Sequence, residues 1–313
     1  MPSLAGLCRR GHFFMPSNDN KNLRLGFIGT GTVGSALAIR LSDRGYPVTA
    51  VCSRGFTSAA KLAASIKGCR AYDSNQKVAD NADFVFITTP DSAIPVVAIQ
   101  VNWHPGQYVV HCSGADSTDI LEPAKKLGAQ VGCFHPLQTF ASVQKAIENL
   151  PGSTFALEAK GPLLEILKNM AAALNGNWVI LEAKDKVAYH AAAVIACNYT
   201  VTLMQMATVL WQTFNVPQDQ ATRALLPLLR GTLNNIENVG LPNCLTGPIA
   251  RGDTGMVQKH LDTLAKLTPG LVSTYRELGL QTIPIALAKG RINESGAEEL
   301  RKTLEVQSSK SKV

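Results

Sequence analysis

Short apolar runs alternate with amphipathic stretches from Leu23 to about residue 183. The runs LRLGFIG, PVTAVCS, DFVFITTP, QYVVHCSG and AQVGCFHP predict strands, and the segments between them, such as SALAIRLSDRG and STDILEPAKKLG, predict helices. We expect STFALEA, PLLEILKNMAAALNG and WVILEA to add a strand, a helix and a strand at the sheet edge. Strands that alternate with helices predict a mostly parallel sheet with right-handed crossovers, and the all-apolar FVFI fits a sheet covered on both faces.

The pattern changes after Lys184, where no further strand is predicted. Long helical patterns follow instead, and they are interrupted at NVPQD, at GLPNCLTGPIARGDTG and at LTPG. The fold class is therefore α/β, a doubly wound sheet followed by an all-α C-terminal domain. The predicted parts are a disordered extension over 1–22, a sheet domain over 23–183, a helical domain over 184–306 and a tail over 307–313.

Composition narrows the class of protein. The chain has 313 residues, 46% of them apolar and 17% charged, which is typical of a globular chain long enough for two domains. The net charge of +7 sits partly at the two ends and forms no basic stripe interleaved with aromatics, so we expect no nucleic-acid partner. We expect no run of about 18 uncharged apolar residues in the sequence, and therefore no membrane span.

The cysteines and the first 14 residues indicate which cellular compartment the protein occupies. None of the seven cysteines forms a Cys-x-x-Cys pair, which favours a reducing, cytoplasmic location without a disulfide framework or a zinc site. MPSLAGLCRRGHFF carries two arginines and no acid, but its apolar runs are too short for a secretory signal. A short organelle-targeting peptide, a disordered extension and a true start at Met15 all stay open.

A glycine-rich turn, GFIGTGTVG, follows the first strand and opens a helix. Gly29, Gly31 and Gly34 fill the G-x-G-x-x-G template of Rossmann-like dinucleotide-binding domains. In that template the first glycine allows the tight turn, the second lets the backbone approach a pyrophosphate, and the third lets helix and strand pack closely. The helix N-terminus adds free N–H groups and a partial positive charge. Glycines used only in packing are the alternative.

The residues after the second strand favour NADP(H) as the cofactor. A carboxylate that holds a ribose hydroxyl is usual about 20 residues after the turn, but Ser53 and Arg54 occupy that place. The guanidinium fork of Arg54 matches a 2′-phosphate, although an ordinary exposed loop arginine is the alternative. The predicted cofactor-binding residues are Gly29, Thr30, Gly31, Thr32, Val33, Gly34, Ser53, Arg54, Thr57, Ser58, Thr89, Pro90 and Ser113.

Candidate catalytic groups follow the strands, because ligands lie at the carboxyl ends of the strands in doubly wound sheets. Ser113 and His135 are expected to face the nicotinamide end of the cofactor, and His135 could donate a proton to a reduced carbonyl. The alternative is that His135 only shapes the crevice or contacts the cofactor.

The segment KDKVAYHAAAVIACNY opens the helical half with a polar stripe in an apolar helix. At about 100° per residue, Lys186, His190 and Cys197 fall within roughly 40° of one another, and Asn198 lies nearer 120° from Lys186. His190 and Asn198 are therefore predicted to line the site. A histidine satisfied by a backbone carbonyl is the alternative, and a metal site of His190 with Cys197 is disfavoured because no third ligand stands out.

The segment LTGPIARGD offers another charged side chain. Arg251 could clamp a substrate carboxylate or phosphate with both arms of its guanidinium group. Alternatively, Arg251 and Asp253 pair with each other across a turn.

Residues 23–300 resemble a family of oxidoreductases that joins a Rossmann-like NADP-binding domain to a helical domain of unknown function. The matching stretches are GFIGTGTVG, SRGFTSAAKLA, TTPDSAI, VVHCSGA, CFHPLQTF, YHAAAVIACNY and LTGPIARGD. One departure is Ile195-Ala196-Cys197, where the family often has an aromatic, a small residue and a serine. More distantly, the layout is similar to pyrroline-5-carboxylate reductase, prephenate dehydrogenase, ketopantoate reductase and deazaflavin-linked NADP reductases.

The resemblance implies an NADP(H)-dependent oxidoreductase that acts on a small carbonyl, imine or hydroxy compound in a cleft between the domains. It also implies a homodimer through the helical domain, which is similar to the C-terminal part of 6-phosphogluconate dehydrogenase. His135 or His190 is the expected proton donor, with Asn198 or Arg251 orienting the substrate. A non-catalytic NADP(H)-sensing protein is the alternative function.

Overall fold

The computed structural model describes residues 22–305, so nearly all of the predicted extension and the whole predicted tail lie outside the described residues. The first part of the described chain is built on one sheet. Its strands are β1 Leu25–Ile28, β2 Val48–Cys52, β3 Arg70–Tyr72, β4 Phe84–Ile87, β5 Tyr108–His111, β6 Gln130–Leu137, β7 Thr154–Glu158 and β8 Asn177–Ile180. The helices among them are α1 Thr32–Asp43, α2 Phe56–Ala64, α3 Asn75–Asp80, α4 Ile94–Gln100, α5 Glu122–Lys126, α6 Val143–Asn149 and α7 Gly161–Ala173.

The strand order is β3-β2-β1-β4-β5-β6-β7-β8, and every neighbouring pair is parallel except β6 and β7. The doubly wound, mostly parallel sheet is therefore confirmed, together with the edge unit β7–α7–β8. The pattern did not single out β3 and α3, because Arg70–Tyr72 is a short and only partly buried strand.

The sheet is covered on both faces, as the all-apolar strands predicted. Every residue of β1 and β4 is buried. The rings of Phe27 and Phe86 stack with centroids 4.9 Å apart, and those of Phe134 and Phe155 stack at 4.5 Å. Phe86 also meets Phe134 edge to face at 6.0 Å, so the two stacks belong to one core that includes residues of α1 and α7.

The remaining described residues are helical, which confirms the prediction for the second half. The helices are α8 Lys186–Ala196, α9 Asn198–Gln212, α10 Gln218–Val239, α11 Thr254–Leu267, α12 Val272–Ala288 and α13 Glu294–Leu304. A core of Val257, Leu261, Ile283, Ala297, Leu300 and Leu304 holds the last three helices together. The chain divides into two compact units, the first ending at Cys197 and the second beginning at Asn198. The predicted boundary near residue 183 places helix α8 in the second domain, whereas this division places it in the first unit.

One helical stretch, residues 183–212, is long and apolar enough to cross a membrane by length and composition, with a mean hydropathy of 1.4. The expectation that no such run exists is therefore wrong: no Asp, Glu, Lys or Arg lies between Lys186 and Asp219. One helix of this kind is weak evidence, because core helices pass the same test. Side chains of α8 also contact residues of the sheet, as described below.

Candidate functional site

The glycine turn after β1 has the local geometry that its sequence predicts. Gly29 has a φ of +110°, which side-chain-bearing residues rarely adopt, and an added Cβ would lie 2.7 Å from the Thr88 backbone. A Cβ on Gly34 would collide with the Gly29 carbonyl oxygen and with the Thr88 hydroxyl, so this glycine permits the close packing of α1. A Cβ on Gly31 would meet nothing within 4 Å. The middle glycine thus leaves open space where a cofactor backbone could approach.

The N-terminus of α2 lies beside this turn. The hydroxyl oxygens of Thr30 and Ser58 are 2.8 Å apart, and Thr30 is buried. Thr57 and Arg54 are exposed, and Arg54 makes no ion pair with any residue among those described. The guanidinium group is therefore available to an anion next to the turn. This arrangement fits a cofactor that carries a 2′-phosphate.

Ser113, two residues after the end of β5, is buried, and its hydroxyl is hydrogen-bonded to other groups of the protein. Its hydroxyl lies 2.9 Å from a carboxylate oxygen of Asp91 and 2.9 Å from one of Asp116, and it accepts the Asp116 backbone N–H at 3.1 Å. Thr89, two residues after the end of β4, has a buried hydroxyl without a hydrogen-bond partner among residues 22–305. Pro90, which follows it, is exposed. A contact of Thr89 or Ser113 with the cofactor stays a prediction.

Two histidines from different elements converge beside Gly114. A Cβ on this glycine would lie 2.7 Å from Nδ1 of His190 and 2.9 Å from Nε2 of His135. The two imidazole centroids are 6.3 Å apart and nearly perpendicular. The absence of a side chain at residue 114 lets both rings approach the end of β5. The structure thus brings together the two histidines that the sequence proposed as proton donors.

His135 reaches this place because β6 extends beyond its parallel neighbour. The last β5 residue, His111, pairs with Cys133, and β6 continues for four more residues paired with antiparallel β7. His135 therefore lies near the end of the strand, opposite Ala156, inside the predicted strand AQVGCFHP. The antiparallel partner β7 supplies the pairing beyond the last residue of β5.

A buried lysine lies close to the histidines. Lys186, the first residue of α8, is 1% exposed, and its Nζ donates to the Ser113 carbonyl oxygen at 3.0 Å and to Sγ of Cys133 at 2.9 Å. No carboxylate within ion-pair distance compensates it among the described residues. A buried cation without a partner charge is costly and therefore uncommon outside functional sites.

Burial and this cation affect the neighbouring imidazoles. Burial, with the positive charge of Lys186 as a second cause, lowers the pKa of His135 to about 4. The same two causes lower the pKa of His111 to about 3. His135 is therefore neutral at pH 7 and offers one N–H. The sequence argument that this histidine titrates near neutral pH does not hold in this environment.

Sequence reasoning missed Tyr189, which lies between the two site residues of α8. Its hydroxyl oxygen is 2.9 Å from Nδ1 of His135, and the two rings meet edge to face at 5.6 Å. Burial raises the pKa of this phenol well above its ordinary value. The available signal was the spacing, since Tyr189 is three residues after Lys186 and shares its helix face.

The other predicted catalytic residues belong to the second compact unit. Helix α8 ends at Ala196 and α9 begins at Asn198, and Cys197 between them keeps a helical backbone conformation with its N–H bonded to the Ala193 carbonyl oxygen. Asn198 and Arg251 are exposed. Asp253 makes no ion pair with Arg251 in the described chain and instead caps α11, accepting the Met256 N–H at 2.9 Å.

A metal centre has no support in the side-chain arrangement. Across residues 22–305, no group of three or more His, Cys, Asp or Glu side chains could hold a metal ion.

Two family models match the chain. Residues 24–114 match "NADP oxidoreductase coenzyme F420-dependent", and residues 153–282 match a domain of unknown function, DUF2520. The second match begins just before β7, so it includes the edge of the sheet as well as helices. These matches confirm the predicted combination of an NADP oxidoreductase domain with a region of unknown function, and they confirm NADP as the predicted cofactor.

Similar proteins include a dehydrogenase and solved structures that share the fold. The 2-(hydroxymethyl)glutarate dehydrogenase of Eubacterium barkeri is 36% identical over 74 residues, which span 24% of this chain and 24% of that enzyme. Protein TM1727 from Thermotoga maritima is 27% identical with a TM-score of 0.70, covering 85% of this chain and 100% of its own. Pyrroline carboxylate reductase from Plasmodium falciparum, solved with NADP bound, shares the fold at 14% identity and a TM-score of 0.53, covering 91% and 99%.

Proposed function

We propose that this protein is an NADP(H)-dependent oxidoreductase that reduces a small carbonyl or imine compound, or oxidises the corresponding hydroxy compound. The observation that carries the proposal is the convergence of His135 Nε2 and His190 Nδ1 beside Gly114. This point lies at the carboxyl end of β5, where doubly wound sheets bind their ligands. The dehydrogenase and reductase among the similar proteins support the same chemical class.

The residues present fit an NADP(H) cofactor. The open space at Gly31 and the start of α1 would receive the pyrophosphate, since no side chain caps that helix. Arg54 and Ser58 would receive the 2′-phosphate, because the unpaired guanidinium group lies in the loop that follows β2. The bound reduced cofactor supplies a hydride to the substrate carbon.

The protein's own groups would act on the substrate heteroatom. Negative charge develops on a carbonyl oxygen or imine nitrogen as its carbon is reduced, and a fixed N–H donor stabilises that charge. His135 and His190 each place a ring nitrogen beside Gly114, and His190 Nδ1 has no hydrogen-bond partner among the described residues. The roles of Asn198 and Arg251 in orienting the substrate stay predictions.

Steady-state oxidation of NADPH with a panel of small aldehydes, ketones and cyclic imines tests the proposal. We expect turnover with at least one member of the panel, and a decrease of roughly 100-fold in His190→Gln with little change in NADPH affinity. His104→Gln is the matched control, because His104 is exposed and pairs with Asp80 at 3.2 Å, away from the glycine turn.

Tight NADPH binding without turnover on any compound would contradict the enzyme and favour the alternative, a protein that senses NADP(H). Equal turnover of the wild type and His190→Gln would exclude His190 from the chemistry.

We also propose that the protein is a homodimer whose contact surface is formed by α9 and α10. Apolar side chains of these helices are widely exposed in one copy, including Val201 at 69%, Leu228 at 69% and Leu233 at 55%. Only Ala221 is buried in the 22 residues of α10. Charged side chains such as Arg223 and Arg230 share this helix, which suits a protein partner better than a lipid interior.

Sedimentation of the wild type and of Leu228→Asp tests this surface. A wild-type dimer that Leu228→Asp converts to monomer supports the proposal. A monomeric wild type, or a wild type recovered only with detergent or lipid, would contradict it. The cytoplasmic location stays a prediction.

A further inference from the structure

The hydrogen bond between Tyr189 and His135 has a direction that its surroundings determine. His135 is neutral at pH 7, for the reasons given above, so it carries one ring hydrogen, on either Nδ1 or Nε2. Nδ1 lies 2.9 Å from the Tyr189 hydroxyl oxygen, and Nε2 faces Gly114 and His190. The position of that single hydrogen decides whether the nitrogen in the site donates or accepts.

Tyr189 has one hydroxyl hydrogen and keeps it at working pH, because burial disfavours the phenolate. Among residues 22–305, the only hydrogen-bond partner found for this hydroxyl is His135 Nδ1. If Nδ1 carried the ring hydrogen, the hydroxyl hydrogen of Tyr189, a half-buried residue, would have no partner among residues 22–305. An unpaired buried donor costs about 1–3 kcal/mol. The arrangement in which Tyr189 donates to Nδ1 avoids that cost.

We propose that Tyr189 is a positioning residue that fixes His135 as the Nε2–H tautomer and so makes His135 the hydrogen-bond donor to the substrate heteroatom. The inference rests on the proposed function for what that donor acts on. Nδ1 of His190 lies beside the same glycine and has no hydrogen-bond partner among residues 22–305, so it stays available to the same heteroatom. The His135 N–H stabilises the negative charge that develops on the heteroatom, and the proton that the heteroatom then gains comes from solvent.

The chain contains a matched control for this hydrogen bond. In the second unit, Nδ1 of His260 lies 2.7 Å from the Tyr275 hydroxyl, with the rings edge to face at 5.8 Å. This pair has the same geometry and no place in the proposed site. Tyr275→Phe therefore removes an equivalent bond without touching His135.

The direct test is a long-range proton–nitrogen correlation spectrum of protein labelled with nitrogen-15 in its histidine rings. Comparison with His135→Gln assigns the His135 signals. We expect the wild type, without substrate, to show a hydrogen on Nε2 and a bare Nδ1. We expect Tyr189→Phe to show a mixture of both tautomers at His135 and Tyr275→Phe to leave His135 unchanged.

A hydrogen on Nδ1 of His135 in the wild type would overturn the inference, and so would a Tyr189→Phe spectrum unchanged at His135. The wild-type spectrum decides the question even if Tyr189→Phe does not fold. With a substrate in hand, we expect Tyr189→Phe to lower kcat/KM by about 10-fold and to leave NADPH affinity unchanged. The spectrum needs no substrate, so failure of the proposed function and failure of this inference are separable.

Discussion

The apolar side chains of the sheet in the first unit are buried, whereas many of those on helices α9 and α10 in the second unit are exposed. Phe27, Phe86 and Phe134 are 0% exposed and pack against one another or against neighbouring strands, whereas Leu228 of α10 is 69% exposed. The apolar side chains of the sheet are therefore buried within a single copy of the chain. The helix pair leaves apolar surface that a single copy does not cover.

The polar groups show the reverse contrast. In the first unit, Lys186, Ser113 and His111 are almost fully buried near the carboxyl ends of the strands. In the second unit, Asn198 and Arg251 are exposed. Buried polar groups are costly, and active sites are where proteins commonly retain them. The contrast supports the two proposals that the chemistry lies in the first unit and that the contact between copies lies in the second.

The largest expected effect lies in the core of the sheet. Phe86→Ala should lower the free energy of unfolding by about 3–5 kcal/mol, because it leaves a cavity among Phe27, Phe84 and Phe134. Leu228→Ala, measured by denaturant unfolding at a concentration where the protein is monomeric, should cost less than about 1 kcal/mol. Equal costs for the two variants would contradict the contrast between the units.

Acid should destabilise the protein through its buried histidines. In the unfolded chain they take up a proton near the ordinary pKa of 6.5, but in the folded state the pKa of His135 is about 4 and that of His111 about 3. Below pH 6.5 the unfolded state therefore binds more protons, and stability falls as the pH decreases towards 4. The contribution of His135 is roughly 3 kcal/mol.

Thermal melting of the wild type and His135→Gln between pH 7 and pH 4 measures this effect, and we expect a shallower decline in the variant. Identical pH dependence in both proteins would show that His135 is not held neutral by the fold.

A smaller effect is expected at the start of α11. Asp253→Ala removes the hydrogen bond to the Met256 N–H and should cost about 1 kcal/mol of stability, as the loss of an N-cap usually does. Arg251→Ala, monitored by the same unfolding experiment, should cost almost nothing, since Arg251 has no ion-pair partner in the described part of the chain. Equal losses would instead support the pairing of Arg251 with Asp253.

The sequence predicted most of the fold because the strands are strongly apolar and the glycine and proline positions mark their ends. It missed β3 because Arg70–Tyr72 is short and half-exposed. It predicted β6 through His135 but not its pairing with β7, because antiparallel pairing is a tertiary property. It treated residues 186–198 as one helix, which holds apart from the single break at Cys197 between α8 and α9.

The sequence predicted several individual residues of the candidate site, but it did not predict the contacts among their side chains. The sequence indicated Gly29, Arg54, His135 and His190 by motif and residue type. The spacing of Tyr189 from Lys186 indicated a shared helix face, but its contact with His135 depends on a strand that is distant in sequence. The burial of Lys186 between a carbonyl oxygen and a thiol also depends on strands that are distant in sequence.

The most direct test of the central claim is thermal melting with NADPH, NADP+, NADH and NAD+, run on the wild type, Arg54→Ala and the control Arg44→Ala. A nucleotide at about 100 times its Kd should stabilise the protein by roughly 2.7 kcal/mol. We expect the phosphorylated nucleotides alone to raise the Tm of the wild type and of Arg44→Ala, and Arg54→Ala to lose that preference. No shift with any nucleotide, or equal shifts with NADPH and NADH, would contradict the account.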